Sequence, residues 1–188
     1  MNKKFKNSIK FAVYIAVITF VLAAIFSIVS SSSLSRVSWI FGLIIVLIIV
    51  VVGILFDMLG VAATAADEVP FNAMAAEKVM GAKEAVTITK NADKFSSFCN
   101  DVIGDITGII SGSALTIVII EIASIANIQE ESIIQISLSV FLTSIIAALT
   151  VGGKAVGKYF AINSSTEIVI IAGKFIYILE SKLKIKVF

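Results

Sequence analysis

The chain contains no histidine, one cysteine and one proline. Without histidine there is no Ser-His-Asp or Cys-His catalytic set, no histidine-bearing zinc site and none of the usual proton shuttles. Carboxylates, hydroxyls, amides and backbone carbonyls remain as ligands, and these suit hard cations. The lone Cys99 excludes an intramolecular disulfide and reads as a small buried hydrophobe. Charge is scarce as well: 15% of residues are charged and the net charge is +2, which gives no case for nucleic-acid binding. Gly152-Gly153-Lys154 lacks the spacing of a phosphate loop, and there is no Gly-x-Ser-x-Gly elbow. No catalytic set is left, so the chain reads as a non-enzyme. Two aspartates could form a proteolytic dyad, but the flanking tyrosine and glycine context is missing. No repeat of 20–50 residues is visible.

Apolar residues make up 59% of 188 residues, and the mean hydropathy of +1.06 does not describe a soluble domain of that size. The sequence predicts an all-α membrane protein with four transmembrane helices plus cytoplasmic juxtamembrane helices. Lys3, Lys4, Lys6 and Lys10 precede an uncharged run from Phe11 to Val29. That run exceeds the roughly 7–15 residues of a signal-peptide core, and no Ala-x-Ala site follows, so it reads as a retained first span. Residues 1–36 then form one region, the first span and an external turn through Arg36. Residues 37–188 form a second, with spans over Trp39–Leu59, Asp101–Ala126 and Ser132–Val151.

Between the second and third of these spans, residues 67–100 are amphipathic and mixed in charge, and Pro70 after Asp67 and Glu68 suits a helix start. Gly152-Gly153-Lys154 is expected to end the fourth span. The segment 166–181 is apolar but interrupted by Gly173 and Lys174, and its lysine-rich continuation favours an interfacial helix over a fifth span. With the N-terminus cytoplasmic in the inner membrane, every lysine falls on one side and only Arg36 lies outside.

This topology brings Asp57, Asp101, Asp105, Gly152 and Gly153 to one membrane depth. Charged groups inside membranes usually face a partner or a wet cavity. Asp57 and Asp105 are therefore the leading metal ligands, Asp101 is divided between ligand and helix-capping roles, and Gly152 and Gly153 would supply backbone oxygens from a broken helix end. Glu121, toward the external end of the third span, is a weaker candidate. Gly104, Gly108 and Gly112 repeat every four residues, a spacing for helix packing against a neighbouring span or for a homodimer within the lipid bilayer.

The stretch Phe56-Asp57-Met58-Leu59-Gly60-Val61-Ala62-Ala63-Thr64, the segment Gly81-Ala82-Lys83-Glu84-Ala85 and the run Asn91-Ala92-Asp93-Lys94-Phe95 occur in an order that resembles the transmembrane domain of the CorC and cyclin M magnesium transport family. The resemblance covers Trp39 to the C-terminus. It implies a dimeric, three-span core with juxtamembrane helices that binds and moves Mg2+. The chain departs from that pattern at Gly60 and Gly153, where the family carries glutamates, while Asp57 falls on the family's site serine. No nucleotide-binding CBS pair follows. Divalent-cation transport or binding is the function this implies, with a non-transporting membrane scaffold or accessory subunit as the rival.

Overall fold

The computed structural model describes the backbone of residues 3–34, 38–129 and 132–183, and side chains within 9–30, 38–129 and 132–182. Arg36, where an external turn is expected, Glu131, where an acidic turn is expected, and Lys184 and Lys186 lie outside the described residues. Among the described residues the protein is all-helical: α1 (Lys3–Leu34), α2 (Trp39–Ala65), α3 (Glu68–Ala76), α4 (Ala82–Lys90), α5 (Ala92–Ser97), a π-helical segment (Phe98–Gly104), α6 (Asp105–Ile125), α7 (Ile133–Asn163) and α8 (Ser165–Leu183). Four stretches are long and apolar enough to cross a bilayer: Ile9–Ser30, Trp39–Ala65, Ala92–Ile125 and Ile133–Asn163. The protein is thus an all-α membrane protein. Segment 166–181 falls within α8, which is not among those spans.

Three helices run further than their apolar cores. α2 continues beyond Leu59 through Gly60–Ala65, whose small side chains do not interrupt the i to i+4 ladder. The third helical run starts at Ala92 rather than Asp101, and its π-helical segment absorbs the polar residues Asn100 and Asp101. α7 does not end at Gly152-Gly153-Lys154 but continues to Asn163. Glycine there costs only about 1 kcal/mol each against alanine. With no proline downstream, nothing forces the helix to stop.

The chain divides into two compact units, residues 1–53 with 102–153 and residues 54–101 with 154–188. In the first, α1 lays Ile15, Ile18, Leu22 and Ala23 against Val102, Ile106 and Ile110, with Ile49 of α2 alongside. Spacings of three and four residues put each set on one helix face. A Cβ on Gly53 would collide with the Thr107 hydroxyl, so that glycine permits α2 and α6 to approach. Many large apolar side chains of α1 and α7 are exposed, Phe20 and Phe141 among them, as lipid-facing helices require.

The second unit has a core in which Ala62 and Ala63 of α2, Phe71 of α3, Ala85 and Ile88 of α4, Ala161 of α7 and Val169, Ala172 and Ile176 of α8 meet. Asp67 caps α3, its carboxylate accepting from the Val69 amide at 3.3 Å. Pro70 lies in the first turn, where its missing N–H would have had no helical partner. The turn between α3 and α4 crosses α8 backbone to backbone: Gly81, at φ +83°, leaves no room for a Cβ beside Gly173 and Lys174. The opposite face of α8 exposes Ile171, Phe175 and Ile178.

Candidate functional site

Asp57 is the one buried charged side chain among the described residues, 6% exposed on an otherwise apolar helix. Two cations meet it. Lys154 Nζ lies 3.5 Å from Oδ1, and Lys158 Nζ lies 3.9 Å from Oδ2. The two lysines stand one turn apart on α7, so they share a face. Gly157, on the turn between them, brings that face onto α2: a Cβ there would sit 3.5 Å from Ile54 Cγ2 and 3.6 Å from Met58 Cβ. A larger residue at 157 would press on α2 and lengthen both ion pairs.

One turn beyond Asp57 on α2, Gly60 is buried under Asn100 of the π-helical segment. Any side chain at 60 would overlap the Asn100 carboxamide. Asn100 donates from Nδ2 to Ser96 Oγ at 3.2 Å. Its Oδ1 is buried with no hydrogen-bond partner, and Asp57 Oδ2, although near Lys158, likewise accepts no hydrogen bond. Buried polar atoms left this way are uncommon and cost about 1–3 kcal/mol each when no partner arrives. π-helical insertions are rare and recur at functional sites. Asn100 lies over Gly60 from within this segment.

The expected ligands are dispersed among different environments. Asp101 and Asp105 are both exposed, Asp101 in the second unit and Asp105 at the start of α6 in the first. No group of three acidic or thiol side chains suited to a metal ion occurs among the described residues. Gly152 and Gly153 are interior to α7, so their carbonyls belong to the helical ladder, and the free backbone oxygens expected from a helix end are not formed. Of the glycine ladder, Gly104 is buried in the π-helical segment, while Gly108 and Gly112 have open space in front of them. The change in helical pitch at 104 takes it off the line of the other two. Glu121 is half-buried on α6.

Reading the sequence did not single out Lys154, Lys158 and Asn100. The signal for the lysines is their spacing of four on one helix face, which disappears when Gly152-Gly153 is read as a helix end. Asn100 carried no signal of its own, since a π turn has no composition rule. Along the chain from this cluster, Glu68 receives the Asn72 amide at 3.0 Å and Lys90 at 3.4 Å. Its carboxyl is held below the usual range, by the Asn72 hydrogen bond first and by Lys90 next. Comparison with known families, curated proteins and solved structures gives no match for this chain.

Proposed function

We propose that this chain binds and moves a divalent cation, Mg2+ foremost, at the cluster around Asp57, as its resemblance to the CorC and cyclin M family implies. The observation that carries this reading is a buried carboxylate with one oxygen lacking a hydrogen bond, on the same helix as Gly60, over which lies a buried carboxamide oxygen that also lacks one. Mg2+ keeps much of its water shell and needs only one or two protein carboxylates, so a site with a single aspartate and an amide oxygen fits its chemistry. Asp57 lies roughly twenty residues into α2, and Lys154 about as far into α7, near the limit of a hydrocarbon layer of about 30 Å. A cation there is reached from the aqueous side. Asp101, exposed in the π-helical segment, contributes field rather than direct ligation in this proposal.

In this reading four spans would leave both termini on one side, and the lysine-rich start of α1 supports the cytoplasm of the inner membrane as that side. The open Gly108 and Gly112 face of α6 is where a second copy would pack to form a homodimer. The protein is not an enzyme in this reading, and the bilayer is its solvent. Mg2+ flux into proteoliposomes provides the test. Protein-dependent flux falling at least tenfold in Asp57→Ala supports the proposal; flux equal in the variant overturns it.

The two lysines favour a second reading. A carboxylate already neutralised can serve only to pin α2 to α7, in a non-transporting scaffold or accessory subunit. Calorimetry separates the two, because the scaffold gives no Mg2+ binding heat.

A further inference from the structure

The lysines that face Asp57 are not equivalent. Lys154 has a side chain 25% exposed and the shorter approach, 3.5 Å, whereas Lys158 is 54% exposed at 3.9 Å. Lys154 is therefore the counter-ion held against the buried carboxylate, and Lys158 is a solvated second charge. Held there, Lys154 neutralises the carboxylate without any free ion, and Lys158 adds a further positive charge beside Oδ2. A metal ion that takes Asp57 Oδ1 as well as the unbonded Oδ2 can do so only if the Lys154 ammonium leaves. The exchange removes one positive charge and brings in the charge of the ion. A monovalent ion gains nothing electrostatically over the ammonium it replaces, while a divalent ion gains a full extra unit of attraction to the carboxylate. The departing lysine also has somewhere to go, since its flexible stem reaches the aqueous boundary.

We propose that Lys154 is a tethered counter-cation that competes with the incoming metal ion for Asp57, lowering the site's affinity and excluding monovalent ions. This rests on the cation-binding reading above and adds to it a specificity-determining residue. Lys154→Met removes the competitor. It should bind Mg2+ about tenfold more tightly than the unaltered protein, and Na+ should then compete at roughly tenfold lower concentration. Lys154→Arg retains the charge and should restore the original selectivity. Lys158→Met should change the affinity less than about threefold, as expected for an exposed pair.

Calorimetry with MgCl2 and NaCl on the protein in nanodiscs reads these affinities. Because Lys154→Met leaves Asp57 with one partner fewer and puts folding itself at stake, a second measurement uses the unaltered chain. Acylation of Lys154 by an amine-reactive ester, followed by mass spectrometry, should run several times faster with saturating Mg2+, because the ammonium is then released. If Asp57-dependent Mg2+ binding is present but neither the Lys154→Met affinity nor the acylation rate changes, the tether is overturned and the cation site stands. If neither the unaltered protein nor Lys154→Met binds Mg2+, both proposals fall. Binding that appears only in Lys154→Met supports the tether in its strongest form, a masked site.

Discussion

Asp57 and Asp105 are both carboxylates at one end of an apolar helical run, yet one is buried between two lysines and the other is exposed. The difference comes from what packs alongside. At Asp57, Gly157 lets α7 lie close enough for Lys154 and Lys158 to reach across, and Gly60 admits Asn100. At Asp105 the exposed face continues into Gly108 and Gly112, which have nothing in front of them. Small residues thus produce a closed polar cluster in one place and an open surface in the other.

Removing each carboxylate sharpens that contrast most. Asp57→Ala strands Lys154 and Lys158 beside each other and is expected to cost about 2–3 kcal/mol. This is less than the roughly 3–5 kcal/mol for breaking a fully buried pair, because Lys158 is half exposed. Asp105→Ala should stay within about 0.5 kcal/mol, as for other exposed positions. Denaturation of both variants in mild detergent measures the gap. Equal losses would mean that burial does not separate the two acids.

The glycines offer the next comparison. Gly81→Ala puts a Cβ at φ +83° against the backbone of Lys174, and should destabilise the second unit by about 1–3 kcal/mol, since neither strain nor overlap can relax through a side chain. Gly112→Ala meets nothing and should be neutral or stabilising by up to about 1 kcal/mol in a monomer. Thermal melts compare them directly. A large loss at Gly112 instead would place another surface there, as the proposed homodimer requires.

Much of this fold was legible because bilayer spans are dictated by composition: long apolar runs cannot stay in water, and the four spans follow from that alone. Asp57 was legible for the same reason, since an acid within such a run needs a partner. Its partner was not legible. Glycine pairs mark helix ends in soluble proteins, but in an apolar helix without proline the hydrogen-bond ladder wins, and α7 carries Lys154 and Lys158 past Gly152 and Gly153. The π-helical segment was invisible because it depends on how Asn100 packs over Gly60, a tertiary contact with no local pattern. Likewise the period of four in Gly104, Gly108 and Gly112 assumed one constant helical pitch, which the π turn breaks.

A third paired acid tests burial as the deciding variable, with the smallest effect. Glu68 is bound by Asn72 and Lys90 as Asp57 is bound by its lysines, but in solvent. The Asn72 hydrogen bond, and then Lys90, hold its carboxyl below the usual glutamate range. A group whose folded value is depressed stabilises the protein above the unfolded value and loses that contribution as pH falls through the folded one. The melting temperature of Glu68→Gln should therefore lie slightly below that of the unaltered chain at pH 6, and the two should converge once the pH drops clearly below 4.5. Added salt at pH 6 should narrow the gap too, because exposed charges are screened. The loss from Asp57→Ala should persist in the same salt, since its carboxylate is buried. If salt removed both effects alike, exposure rather than enclosure would describe the Asp57 cluster as well, and a divalent ion would find no protected carboxylate there.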